Sequence, residues 1–295
     1  MPISIQGLTK QFPNGKGIFD VSFDIADGEV FGFLGPNGAG KSTTIRHIMG
    51  FMRPTEGTTT INGVDCWKNS SEIQKSVGYL PGETAFLEGM SGQEFLMLLA
   101  GMRKLKDTSR QKELIERFQL DAKTPIRKMS KGMKQKIGIV AAFMHDPAVL
   151  ILDEPTSGLD PLMQNTFVDL IKEEKENGKT ILMSSHSFSE IDRTSDRVGI
   201  IKDGKLVAVE DIRKLQAIQR KVFQVTVKTD EDIISLKNSN LDVIQVDGHQ
   251  AQIAVQGDYE TFIKTISHCG ITSIDIQRQN LEDIFMHFYS REGDQ

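Results

Sequence analysis

Cysteine is scarce in this chain of 295 residues: there are two, Cys66 and Cys269, and neither belongs to a Cys-x-x-Cys or Cys/His cluster. Their spacing suggests neither a disulfide framework nor a zinc site, and it fits a reducing cytosol. Also missing is any apolar run near the ~20 residues that span a bilayer. The stretch MPISIQGLTKQF lacks the charged start, apolar core and small-residue cleavage site of a secretory signal. If a membrane is involved, another polypeptide is expected to cross it. Nor is there a strong excess of one charge. The 35 Lys and Arg against 40 Asp and Glu leave a formal charge of −5, which argues against a general nucleic-acid coat, since such proteins carry a basic excess on the binding domain. No low-complexity tract interrupts the chain, and 38% hydrophobic with 25% charged residues predicts a folded globular protein.

What is present falls into three textures. From Ile18 to Ile61 short strands such as VSFDI and EVFGFLG lead through a glycine loop into a helix near Lys41, and GTTTING follows with an Asn-Gly turn. From about 83 to 146, apolar residues recur every three or four positions, as in GQEFLMLLAGMRKL and QKELIERFQL, which predicts a helical insertion. Then AVLILDEP, a helix near Gln164 to Asn177, KTILMSS and VGIIKDGKLVAVE restore the alternation of strand and helix. This predicts an α/β domain over 1–215, with a mostly parallel sheet and helices on both faces. Residues 216–295 read as a small C-terminal α+β appendage. FQVTVK is followed by a hairpin VIQVDGHQAQIAVQ, a helix near Asp258 to Ser267, a strand ITSIDIQ and a final helix LEDIFMHFY.

The nine residues Gly35, Pro36, Asn37, Gly38, Ala39, Gly40, Lys41, Ser42 and Thr43 read GPNGAGKST, which matches G-x-x-x-x-G-K-[ST] between an apolar strand and a helix. Glycines let the loop wrap an anion with its N–H groups inward, and the helix start adds positive character. Lys41 is expected on the β- and γ-phosphates of a nucleotide and the Ser42 hydroxyl on magnesium. AVLILDEP places Asp153 and Glu154 at the end of a buried strand. Asp153 is expected to hold magnesium, directly or through water, and Glu154 to orient and polarise the attacking water.

These residues resemble the ATP-binding cassette (ABC) ATPases over roughly Ile3 to Leu215. SGLD, ending in Asp160, resembles the D-loop after the Walker B strand, and SSH, ending in His186, resembles the switch histidine that contacts the γ-phosphate. Phe12 stands where the family has an adenine-stacking aromatic, although alone it reads as core. The resemblance implies a P-loop NTPase cassette with an antiparallel β subdomain, and ATP and Mg2+ as cofactors.

The stretch MSKGMKQK, Met129 to Lys136, is compatible by charge alone with nucleic acid, an anionic membrane, a nucleotide or solvent. It resembles the family signature Leu-Ser-Gly-Gly-Gln, with Ser130 and Gly132 matching and Lys131 and Met133 departing. The resemblance implies that Ser130 and Gly132 close over ATP held by a second cassette. Lys134 and Lys136 can equally be solvated. A second departure is GYLPGET, where Gly82 replaces the family's magnesium-contacting glutamine. The next residue, Glu83, either supplies that ligand or caps the loop.

The implied function is an ATP-hydrolysing subunit that drives a separate transmembrane permease, with no nucleic acid expected as partner. It would lie at the cytoplasmic face of the membrane and resemble bacterial exporters of drugs, antibiotics, peptides or lipids. The appendage either regulates or stabilises cassette pairing or simply covers apolar surface. The rival is a soluble cassette ATPase acting on nucleic acid or ribosomes, although such relatives carry coiled coils, zinc modules or two cassettes in one chain. A P-loop kinase or GTPase leaves Ser130, Asp160 and His186 unexplained.

Overall fold

The computed structural model describes residues 2–87, 89–218, 221–255 and 257–276. The chain divides into two compact units, one ending at Glu210 and the other running from Asp211 onward. Among the described residues no helix is long and apolar enough to cross a membrane.

The first unit opens with β1 (Ile3–Gln11) and β2 (Gly17–Ile25), paired antiparallel. β3 (Val30–Leu34) is buried at all five residues, as expected of an inner parallel strand covered on both faces. It feeds the glycine loop and α1 (Lys41–Ile48). β4 (Glu56–Ile61) and β5 (Val64–Asp65) form a hairpin in which Asn62 and Gly63 both have positive φ, 51° and 77°, as a two-residue type I′ turn requires. Next come α2 (Ser70–Ser76) and β6 (Val77–Leu80).

The helical stretch that follows comprises α3 (Gly92–Met102), α4 (Ser109–Arg117), a 3-10 turn at Ile126–Lys128 and α5 (Lys131–Phe143). α3 starts at a capping box between Ser91 and Glu94. β7 (Val149–Asp153) returns to the sheet. α6 (Pro161–Glu176) begins three residues before the expected Gln164, because the Asp160 carboxylate accepts the Met163 N–H at 3.0 Å and Pro161 suits the first helical position. β8 (Thr180–Ser185), α7 (Phe188–Thr194), β9 (Arg197–Lys202) and β10 (Lys205–Asp211) complete the series.

Two sheets result. The antiparallel one runs β2-β1-β4-β5, and the other runs β10-β9-β3-β8-β7-β6 with parallel pairing from β9 through to β6. Strand alternation sends Phe31 and Phe33 into a core with Ile45 and Ile48 of α1 and with Phe23, whose ring stacks on Phe31 at 4.9 Å. Gly32 points the other way, where an added Cβ would lie 2.4 Å from Ile191 on α7. The parallel sheet thus has helices on both faces. α4 is tied to α6 by ion pairs from Arg110 to Glu173 and Glu174, and Lys179 pairs with Glu174 and Asp146.

The second unit contains α8 (Ile212–Ile218), β11 (Lys221–Val227), α9 (Asp230–Lys237), β12 (Asp242–Asp247), β13 (Gln250–Val255), α10 (Tyr259–Ile266) and β14 (Ile271–Ile276). Its antiparallel sheet runs β12-β13-β11-β14, so the elements from β11 to β14 form a split β-α-β-β-α-β arrangement. The core gathers Phe223, Val225 and Ile253 from the sheet with Leu236 of α9 and Phe262 of α10. α9 was not expected from the apolar pattern, since it buries only Ile233 and Leu236; a capping box between Thr229 and Asp232 starts it. The final helix expected over 281–289 lies outside the described residues.

Candidate functional site

The sheet order puts β8 between β3 and β7, and all three run parallel. Their C-terminal ends therefore share one edge, where open α/β sheets bind ligands. The glycine loop leaves β3 at this edge. Two of its glycines are dictated by space and torsion. An added Cβ at Gly35 would sit 2.4 Å from the Ile201 carbonyl oxygen, and Gly40 has φ of 113° with Ile18 2.6 Å from where its Cβ would be. Pro36, Asn37 and Gly38 are exposed, Ala39 is buried, and Ser42 and Thr43 lie half-buried in the first turn of α1. The free N–H groups of that turn make a cradle suited to an anion.

Lys41 is 5% exposed. Its Nζ donates to the carbonyls of Gly35 at 2.6 Å and Pro36 at 3.2 Å, and lies 3.1 Å from Glu154 Oε1, an ion pair outside hydrogen-bond geometry. The other carboxylate oxygen, Oε2, is 2.7 Å from Nδ1 of the exposed His186. One carboxylate therefore joins the glycine loop to the residue after β8.

Glu154 has φ of 48°, a left-handed conformation that costs a non-glycine residue about 1–2 kcal/mol. Its backbone is held from several sides. The N–H donates to Ser184 Oγ at 3.0 Å, while the carbonyl accepts from Ser157 N–H at 3.1 Å and from Gln135 Nε2 at 3.3 Å. Ser184 in turn donates to Asp153 Oδ1 at 2.5 Å, deep in the site. A carboxylate kept clear of the other's partners in this way can polarise a water while its neighbour meets a cation.

The structure thus brings Lys41, Asp153, Glu154 and His186 together. Ser130 stands apart as the N-cap of α5, its Oγ accepting the Met133 N–H at 3.2 Å. Gly132 packs against the following loop, where a Cβ would lie 2.5 Å from the Gly158 carbonyl oxygen. Asp160 caps α6, as described. Phe12 is half-buried in the turn after β1, with its N–H bonded to the Lys16 carbonyl. Glu83 is exposed; the residue facing Asp153 is Gly82, whose added Cβ would lie 3.1 Å from Oδ2.

Among the described residues no cluster of three His, Cys, Asp or Glu side chains forms a metal site by itself. A magnesium ion here fits as a partner of hard oxygens from Asp153, Ser42, phosphate and water, the set this ion prefers. Nearby, burial and the Asp153 charge push the Tyr79 phenol up to about 12. Two participants escaped the sequence reading. Ser184 sits inside SSH, where the histidine draws attention, and Gln135 lies between Lys134 and Lys136, two residues that can equally be solvated. A glutamine on the buried face of an apolar helix was the available signal for the latter.

A family model described as "ABC transporter" matches residues 18–157. The chain is 32% identical to the bacitracin transport ATP-binding protein BcrA of Bacillus licheniformis, across 96% of each chain. It is 31% identical to the linearmycin resistance ATP-binding protein LnrL of Bacillus subtilis, across 98% of each. Among solved structures, an ATP-binding subunit of an ABC transporter superposes with a TM-score of 0.68 at 31% identity, covering 73% of this chain and 92% of the other.

Proposed function

This chain belongs to the ABC transporter family of ATP-hydrolysing proteins, and from that premise we propose that it drives a separate membrane-spanning exporter subunit from the cytoplasmic face. One observation carries the export reading. The likeness to the bacitracin and linearmycin proteins extends over 96% and 98% of the chain, including residues after the cassette, and is not confined to the ATPase motifs. In this proposal residues 1–215 form the ATPase domain and residues 216–295 an accessory domain.

The proposed chemistry follows from the site. Lys41 and the N–H groups of the glycine loop hold the phosphates of ATP. Glu154 takes the attacking water's proton at its carboxylate, and His186, bonded to that carboxylate, orients it and meets the γ-phosphate. Asp153 and Ser42 hold magnesium, which when bound offsets phosphate charge; Glu83 remains a candidate ligand only if its exposed side chain turns inward. Phe12 stacks on adenine. A second cassette, of the same or a different chain, closes the site with Ser130, Gly132 and Asp160, each cassette lending these residues to the other's nucleotide.

Purification of the tagged chain from gently solubilised membranes tests this. An integral-membrane protein recovered in stoichiometric amount supports the export reading. Recovery with ribosomes or DNA, and no membrane protein, overturns it in favour of a soluble ATPase.

A further inference from the structure

Gln135 lies on α5, five residues after the cap Ser130, and is 6% exposed. Its Nε2 donates to two consecutive carbonyls, those of Glu154 at 3.3 Å and Pro155 at 2.8 Å. A buried amide that donates to two consecutive main-chain acceptors ties both to α5; the Glu154 carbonyl also accepts from the Ser157 N–H, whereas losing the amide would strip the Pro155 carbonyl of this bond, which is costly in a buried site. The segment it fixes is unusual, because Glu154 adopts φ of 48°. A residue in that region keeps its conformation only where its surroundings impose it, and its side-chain direction follows from its backbone. Ser184 holds the N–H side of Glu154 from β8, and the Ser157 N–H belongs to the same turn. Gln135 is thus the hold on the carbonyl side that comes from a different element.

We propose that Gln135 is a positioning residue for Glu154: its amide, carried by α5, clamps the carbonyls of Glu154 and Pro155 and so aims the Glu154 carboxylate. The inference rests on the reading of Glu154 as the base. The hydrogen bonds of the Gln135 amide go to these carbonyls rather than to Lys41 or the nucleotide cradle. Its effect therefore falls on the step that uses the carboxylate and leaves nucleotide binding, which uses other residues, largely unchanged. It also connects the helix capped by Ser130 to the base of the same chain.

The test is Gln135→Met in the full chain, which keeps length and apolar contact but removes both donors. ATP turnover should fall about 10- to 100-fold, the scale of a misplaced catalytic group, with KM for ATP within about twofold of the parent value. In a Glu154→Gln background, single-turnover hydrolysis should show no further loss when Gln135→Met is added, because there is no carboxylate left to aim. Turnover near that of the parent overturns the proposal. So does an equal loss in both backgrounds, which marks a general packing defect. Should the Met variant not fold, Gln135→Asn, one methylene too short to reach, is put through the same pair of measurements. Near-normal turnover by Glu154→Gln alone defeats the reading of the base, and is distinguishable from failure of Gln135→Met beside an inactive Glu154→Gln.

Discussion

Lys41 Nζ and Glu154 Oε1 lie 3.1 Å apart at the edge of the parallel sheet, so the cation proposed to hold phosphate is ion-paired with the carboxylate proposed to activate water. A phosphate entering the cradle competes with Glu154 for the same ammonium. Glu154→Gln removes the competing charge along with the base. Its ATP affinity, measured by titration calorimetry, should equal or exceed that of the parent, while turnover falls roughly 10²-fold or more. Lys41→Ala should lose binding itself. Near-normal hydrolysis by Glu154→Gln would refute the assignment.

Both halves of the proposed composite site are carried by one chain, with Lys41 in the glycine loop and Ser130 at the start of α5. In the ATP-trapping Glu154→Gln background, a Lys41→Ala copy mixed with a Ser130→Arg copy leaves one site with both lesions and one with neither. A two-fold axis makes such complementation possible. Size-exclusion chromatography with ATP should show more dimer in the mixture than with either variant alone. Equal dimerisation in all three samples would defeat the composite site.

Glu174 is 1% exposed and is paired with both Arg110 and Lys179. Lys179→Met takes away one of those partners and also the link to Asp146. Breaking a buried pair outright costs roughly 3–5 kcal/mol. Because Arg110 remains, we expect a loss of about 2 kcal/mol, read from the denaturant midpoint of the main unfolding step. Adding Glu174→Gln should restore part of it, through the coupling expected of contacting residues.

At His145, burial, then the Arg103 charge, push the pKa down from 6.5 to about 4; Lys179 also lowers it, while the Val77 backbone and Asp146 oppose. The unfolded chain therefore takes up a proton there before the folded one does. The resulting stability is intact above about pH 6.5 and drains away as pH falls toward about 4. Melting temperature should drop across that window, and His145→Gln should flatten the drop. Buried His47, with its pKa also lowered, and the carboxylates paired with lysine and arginine keep the slope from vanishing. An unchanged slope in the variant would contradict this assignment.

The glycine loop and the helix after it could be read from nine consecutive residues because their geometry is local: glycine torsions and a helix start. The strands around it were equally legible, since VFGFL and VLILD are apolar throughout. The apolar pattern of α6 begins three residues after its true start, because Asp160 and Pro161, which cap and open it, carry no apolar periodicity. α9 went unseen because two buried side chains make no periodic signal. The contacts that build the site are another matter. Nothing in the sequence places Glu154 against Lys41 or Gln135 beneath Glu154, since both meetings depend on strand order and helix rotation. Counting also misleads near Gly82, where the side chain one position on is exposed and the glycine itself faces Asp153.

The interleaving of β3, β8 and β7 has a consequence for biosynthesis. The strand that bears the glycine loop gains its parallel neighbours only from β8 and β9, which end at Ser185 and Lys202. A growing chain that stops short of these has made every residue of the glycine loop and of Asp153 and Glu154, yet lacks β8, the strand that joins β3 to the β6–β7 pair. Such late, distant pairing is slow and leaves apolar strands uncovered in the meantime. Ribosome-bound chains ending before about residue 185 should therefore fail to retain ATP and should recruit chaperones, and nucleotide affinity should emerge abruptly once β9 has left the exit tunnel.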